Sequence, residues 1–274
     1  MASESLQAIL GPDPAAVVAS AFLAANAAGA VAIAVVGLAR LPIRALIGPS
    51  AAYNLWLIPP LAAVATPILV LVGQGSDPLS ASLPVGLPMG VVAPVWALGV
   101  LALAGVFAIA QARFMAEVRA GRAGPAVIGL IAPRIVLPAE DSGYTAQERE
   151  LIRAHEREHV ARKDPRAAAL AAACQCLCWF NPLVHLAAYL LRLDQELACD
   201  AAVIRSRPGA RALYGQTLLK TQLAATPLPF GCYWPARGLH PLEVRIGLLK
   251  RRKGAPVRSD GATVVSATVE SIRP

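Results

Sequence analysis

Long segments without a charged side chain constrain the fold of this protein more than any other feature of its sequence. No Asp, Glu, Lys or Arg occurs in residues 14–39, 45–76 or 78–112. Each segment can cross a hydrocarbon core of about 30 Å as a helix that rises about 1.5 Å per residue. With 56% hydrophobic residues and a mean hydropathy of +0.55, the chain is predicted to be a mainly α-helical membrane protein. Because prolines interrupt the second and third segments, we place the spans near residues 15–38, 52–73 and 91–112.

The charged residues indicate an orientation in the membrane. Residues 1–112 have a net charge of −1, whereas residues 113–274 have a net charge of +9. Arg40 and Arg44 lie between the first two spans, and the next loop carries no cation. By the positive-inside rule, we expect a multi-pass protein of the inner membrane with its N-terminus outside and everything after the third span in the cytoplasm. The start MASESLQ lacks the cationic segment of a cleaved signal peptide, so we expect the first span to be retained.

The segment HEREHVARKD, residues 155–164, contains two of the four histidines of the chain. It follows Thr145-Ala-Gln-Glu148, a capping box in which side chains satisfy free backbone N–H groups at a helix start. The pattern predicts a helix over residues 146–163, with His155 and His159 one turn apart on its apolar face.

Two imidazoles at this spacing can bind one divalent ion, and neutral nitrogen ligands suit zinc. Glu156 lies about 100° further round the helix, so we expect it to face the open coordination position as a general base. The alternative is a charged helix in which His155 and His159 are satisfied core histidines.

A zinc peptidase site needs a third protein ligand, for which Glu196, His185 and His240 are candidates. Glu196 and Asp200 share one face of a second predicted helix, over residues 183–204. One carboxylate can therefore bind the metal while the other accepts a hydrogen bond from a ligand imidazole. We prefer Glu196, because His185 stands alone in an apolar stretch and His240 precedes a proline.

The segment between the two helices is apolar. Residues 167–180 are too few to span a bilayer and predict either a buried core helix or a membrane-dipping segment. We interpret Cys174, Cys176 and Cys178 in this run as small apolar residues, because neighbours two apart on a helix point in different directions. No disulfide is expected of cysteines on the cytoplasmic side.

Two short β-strands are predicted immediately before the motif helix, at residues 126–130 and 134–137, where prolines delimit short apolar runs. An exposed edge of this hairpin could pair with an extended substrate segment. The alternative is a purely structural hairpin with a covered edge.

Several of these segments resemble the BlaR/MecR-type membrane metallopeptidases, an antirepressor group known from β-lactam sensing. They are AVIGLIAPRIVLP, HEREHVARKD, WFNPLVHLAAYLLRLDQELACDAAV and, more weakly, RALYGQTLL and EVRIGLLKRR. The resemblance implies three N-terminal transmembrane helices in residues 1–112. A helical, gluzincin-like zinc peptidase domain with a small β-hairpin would follow in residues 113–253, and a polar tail in residues 254–274.

Carried over residue by residue, the resemblance implies one Zn²⁺ ion per chain. His155, His159 and Glu196 would be its ligands, Glu156 the catalytic base and Asp200 the hydrogen-bond partner of a ligand. Asp164 matches a recurrent acid of the family, but the sequence assigns it no role.

The implied function is that of a membrane-anchored zinc endopeptidase that cleaves a cytoplasmic protein, with a transcriptional repressor as a candidate substrate. Membrane lipids and a separate sensor subunit are the other expected partners. Residues 254–274 resemble neither the fourth span nor the penicillin-binding domain of the sensors, so the resemblance does not extend to β-lactam sensing. The alternative function is a catalytically inactive signalling scaffold. Direct nucleic-acid binding is not expected, because topology explains the basic charge and aromatic residues make up only 5% of the chain.

The orientation can be tested with a reporter that is active only outside the cytoplasm. A fusion near Ser80 should be active, whereas fusions near Arg44 and after Arg122 should be inactive, because the cations remain in the cytoplasm. The reverse pattern of activity would place the motif helix outside.

Overall fold

The structure is a computed structural model that describes residues 14–72, 89–137, 139, 143–224 and 241–250. It is a mainly helical membrane protein with a small two-stranded hairpin, as predicted. The helices are α1 (Pro14–Leu46), α2 (Pro49–Asn54), α3 (Ile58–Val72), α4 (Met89–Arg119), α5 (Ala146–Ala161), α6 (Asp164–Leu177), α7 (Pro182–Ser206), α8 (Arg211–Ala224) and α9 (Pro241–Lys250). Short 3₁₀ turns occupy Leu55–Leu57 and Pro208–Ala210, and the strands are β1 (Ala126–Ile128) and β2 (Arg134–Val136). The described residues do not include His240, Cys232 or the predicted tail at 254–274.

Three helical segments are long and apolar enough to cross a membrane: Val18–Leu46, Pro49–Leu69 and Gly90–Arg119. They correspond to the three predicted spans, but the first and third continue beyond the predicted ends at residues 38 and 112. Hydropathy locates only the apolar part of a helix, whereas the helix itself continues through the cations that follow. Arg40 and Arg44 therefore lie on α1 rather than in a loop.

The second half of the chain packs around a core shared by α5, α7, α8 and α9. Leu151, Val203, Tyr214 and Leu249 are buried in it. Helix α5 begins as predicted, because Thr145 and Glu148 form the capping box. It ends at Ala161, and Lys163 takes a left-handed conformation (φ 59°) before α6 begins. The chain therefore turns sharply four residues after the second motif histidine.

The β-hairpin is antiparallel, and Ala126 pairs with Val136. It packs on Phe114, near the end of α4. Gly129 has a φ of 96°, and a Cβ there would lie 2.7 Å from the Ala132 carbonyl oxygen, so the turn requires glycine. The first strand is shorter than predicted, because the turn already begins at Gly129, and the second ends one residue earlier than predicted.

Residues 164–206, the α6–α7 hairpin, pack against the membrane helices. The Trp179 indole N–H donates to the Trp96 carbonyl oxygen (3.2 Å), and the Trp96 indole N–H donates to the Leu177 carbonyl oxygen (2.9 Å). Trp179 covers Gly99 of α4 so closely that a Cβ at this glycine would overlap the indole ring. The packing of the hairpin against the third span therefore requires glycine at position 99.

A buried ion pair joins α1 to α7. The Asp194 carboxylate is fully buried and accepts hydrogen bonds from the Arg40 guanidinium (3.0 Å) and the Trp56 indole (2.8 Å). The first span, the turn after α2 and α7 meet at this carboxylate. Removing one partner of such a pair typically costs about 3–5 kcal/mol, because the other charge stays buried.

Close packing at Gly99 can be tested by adding one methyl group. Gly99→Ala should lower the thermal unfolding temperature of the purified protein, because the new Cβ overlaps Trp179 and overpacking costs about 1–3 kcal/mol. Gly105→Ala is the matched control on the same helix, since a Cβ there has no neighbour within 4 Å. The control should retain or raise stability, because alanine favours a helix over glycine by about 1 kcal/mol. Equal stability of both variants would contradict this packing.

Candidate metal centre

The two motif histidines lie on the buried side of α5, one turn apart. Their Nε2 atoms are 3.0 Å from each other and point to the same space. Glu196 reaches this space from α7, with its carboxylate oxygens 3.3 Å from His155 Nε2 and 3.7 Å from His159 Nε2. The three ligand atoms all lie within 4.8 Å of one another. The structure thus brings together the three residues that the sequence analysis selected as ligands.

The chemistry of this donor set fits zinc. Two nitrogens and a carboxylate oxygen are three of the donors that a catalytic zinc site uses, with a fourth position left open. Hydrogen bonds at both Nδ1 atoms leave the Nε2 lone pairs facing each other and the carboxylate, an arrangement that a cation stabilises. The Glu196 side chain is 23% exposed, so the site opens to solvent on that side.

The surroundings of Glu196 favour its ionised form, which is the form that binds a metal. Burial opposes its ionisation, but the Arg245 guanidinium and the His155 hydrogen bond lower the pKa of the Glu196 carboxyl well below its usual range. Burial likewise opposes protonation of His159, yet the hydrogen bond to Asp164 raises the pKa of its imidazole well above the usual value. Glu196 therefore carries its negative charge, and a metal at this position would compete with a proton for His159.

Glu156 lies beside the three candidate ligands without joining them. It follows His155 on α5 and is only 6% exposed. Burial raises the pKa of the Glu156 carboxyl, although the two histidines partly oppose this effect. A carboxyl with a raised pKa can both accept and return a proton.

His159 is held by an acid for which the sequence indicated no role. With its ring proton on Nδ1, His159 donates to Asp164 Oδ2 (2.8 Å). The other Asp164 oxygen accepts a hydrogen bond from the Tyr53 hydroxyl on α2 (2.8 Å). The sharp turn between α5 and α6 places Asp164 beside the histidine. The imidazole orientation therefore depends on a residue from the membrane region.

His155 is held by a second chain of hydrogen bonds. Its Nδ1 donates to the Tyr214 oxygen (2.8 Å), and the Tyr214 hydroxyl donates to Asp200 (2.6 Å). Arg245 binds both Asp200 oxygens at 2.8 Å and also lies 3.0 Å from Glu196. Asp200 thus acts on the imidazole mainly through Tyr214. Burial and the Asp200 charge raise the pKa of Tyr214, so the hydroxyl keeps its proton.

The sequence analysis did not single out Tyr214, Arg245 or Tyr53 for the site. A signal existed for the first two, since they lie in RALYGQTLL and EVRIGLLKRR, the weaker segments of the resemblance. No local sequence pattern identifies Tyr53, whose partner Asp164 lies 111 positions away in the sequence.

Another group of potential ligands, His159, Asp164 and Cys199, shares one histidine with the first. Burial raises the pKa of the Cys199 thiol to about 11, so the thiolate that binds metals is disfavoured. Both Asp164 oxygens already accept hydrogen bonds. The first group is therefore the better candidate for a metal site.

The rival ligand His185 lies elsewhere. Its imidazole contacts the Gln175 amide (3.2 Å) and the Trp179 carbonyl oxygen (3.0 Å), near the tip of the α6–α7 hairpin. It belongs to neither group of potential metal ligands among the described residues.

Comparison with known proteins identifies the family. The chain is 33% identical over 97 residues to the regulatory protein BlaR1 of Bacillus licheniformis, an alignment that covers 35% of this chain and 16% of that protein. No solved structure matches the chain. Residues 87–249, more than half of the chain, match the family model described as BlaR1 peptidase M56. The protein therefore belongs to this family of membrane peptidases.

Proposed function

We propose that this protein is a membrane-anchored, zinc-dependent endopeptidase with one Zn²⁺ ion per chain. The observation that carries the proposal is the convergence of His155, His159 and Glu196 beside Glu156 in a member of a peptidase family. Zinc held there would supply Lewis-acid activation of a water nucleophile and of the scissile carbonyl.

The residues of the chain have distinct roles in this proposal. Glu156 takes the proton of the attacking water and returns it to the leaving amine, for which its raised pKa is suited. Asp164 and Asp200 orient the two ligand imidazoles, directly and through Tyr214. Arg245 positions Glu196 and Asp200 by holding both carboxylates.

The proposed substrate is a cytoplasmic protein, with a transcriptional repressor as the candidate that the signalling family favours. The proposal keeps the expected orientation, with the N-terminus outside and residues 113–253 as a cytoplasmic peptidase domain. A separate sensor subunit is the proposed source of the signal. Each strand of the β-hairpin pairs on one side only among the described residues, which supports its other edge as a place for an extended substrate segment.

Substitutions should separate metal binding from turnover. His155→Ala, His159→Ala and Glu196→Ala should each lose most of the zinc, because each removes one of three ligands. Glu156→Gln should retain one zinc per chain and lose turnover, because it removes only the base. Metal analysis of the purified variants and a cleavage assay measure the two effects.

Full zinc occupancy in Glu196→Ala would show that this carboxylate is not a ligand. Zinc binding without cleavage of any protein substrate by the unaltered chain would favour the inactive scaffold.

The link from Tyr53 to the metal position gives a further prediction. Tyr53→Phe removes one hydroxyl and leaves an Asp164 oxygen without its donor, so zinc affinity should fall by about tenfold. Competition with a chelator measures this change. Tyr189→Phe on α7 is the matched control, because its hydroxyl makes no hydrogen bond with the described residues, and its zinc affinity should not change. Unchanged affinity in Tyr53→Phe would remove this residue from the site.

A further inference from the structure

We propose that the α6–α7 hairpin re-enters the membrane from the side of the metal site and lays its apolar outer face against lipid acyl chains. Its tip, residues 178–181, would then lie at the depth of the membrane-spanning helices. The proposal does not depend on the metal or on peptidase activity.

The composition of the hairpin fits this position. No Asp, Glu, Lys or Arg occurs between Arg166 and Arg192. Each of its two helices is too short to cross a bilayer within this stretch, but each can descend part of the way and return. Charged residues flank this stretch at the base of the hairpin. There Asp164 contacts His159, and Asp194 contacts Arg40 of α1.

Contacts with α1 measure the depth of the tip. At the base, Asp194 pairs with Arg40. At the tip, the Asn181 side-chain amide donates to the Asn26 side-chain oxygen (2.7 Å). Asn26 and Arg40 are about 21 Å apart along α1, at about 1.5 Å per residue.

Contacts with α4 give an independent measure. Trp179 is bonded to Trp96, which lies about 25 Å from Arg113, the first cation of this helix. Both values place the tip well inside a hydrocarbon core of about 30 Å.

Near the tip of the hairpin, the side chains of Gln175, Trp179, Asn181 and His185 all make hydrogen bonds within the protein. Gln175 and His185 contact each other, and His185 also contacts the Trp179 carbonyl oxygen. The indole N–H groups of Trp96 and Trp179 both donate to carbonyl oxygens. In lipid, an unsatisfied polar group costs several kcal/mol, so such internal pairing is a condition for entering the membrane.

The outer face of the hairpin is apolar and uncovered. Leu170, Leu177, Phe180 and Leu186 are 44–52% exposed. The tip contacts α1 and α4, whose own apolar side chains, such as Leu98, are exposed in the same way. One apolar surface thus continues from the spans onto the hairpin, and lipid is the occupant that covers the spans.

Spin labels in the full chain reconstituted in liposomes can test the proposal. In a background with its five cysteines replaced by alanine, a nitroxide is attached to Leu177→Cys or Phe180→Cys. Leu98→Cys on α4 is the lipid-facing control, and Arg157→Cys on α5 is the water-facing control, since both side chains are exposed. Collision with oxygen reports lipid, and collision with a water-soluble nickel chelate reports water.

We expect labels at positions 177 and 180 to collide with oxygen as often as the label at position 98. Their accessibility to the nickel chelate should be at least fivefold lower than that of the label at position 157. Nickel accessibility equal to that of Arg157 would overturn the proposal, as would protection from both reagents, which would indicate a protein partner or a second copy. Leu186→Cys repeats the measurement on α7 should either tip variant fail to fold, as judged by circular dichroism.

Discussion

The buried carboxylate of Asp194 is the contact on which the rest of the structure depends. It lies on α7 two residues before Glu196 and accepts hydrogen bonds from Arg40 and Trp56. A carboxylate that is buried away from solvent is stable only where a cation and hydrogen-bond donors offset the free energy of its desolvation. The pair therefore fixes the height and rotation of α7 relative to the first span. The direction of Glu196, half a helical turn further on, follows from this anchor.

Two separate parts of the protein hold the two motif imidazoles. His159 is oriented by Asp164 and, through it, by Tyr53 of the membrane region. His155 is oriented by Tyr214 and Asp200, which Arg245 fixes from the last described helix. The candidate metal centre thus lies where the membrane helices meet the helical domain. A movement of α2 or of α9 would act on different ligands of the same site.

The membrane imposes a second constraint, on polar groups rather than on charges. Near the tip of the α6–α7 hairpin, polar side chains pair with each other or with backbone carbonyl oxygens. The charged residues gather at its base, next to the candidate ligands. This distribution explains how an arginine-rich motif helix and an apolar hairpin can be neighbours. The motif helix lies at the level of the spans' charged ends, and the hairpin extends from it along the apolar segments.

Local patterns in the sequence were sufficient to predict the three spans, the motif helix, the helix that carries Glu196 and the hairpin strands, and they indicated the candidate ligands. Charge-free runs, a capping box and i, i+4 spacing act over a few residues, so their structural meaning can be derived before the chain is folded. The roles of Asp164, Tyr214 and Arg245, and the link to Tyr53, depended on the tertiary structure. Their partners lie at sequence separations from 5 to 111 residues, and no periodicity encodes which side chains meet across a turn or between helices. The sequence alone identified the candidate metal ligands, whereas helix packing decided how they are held.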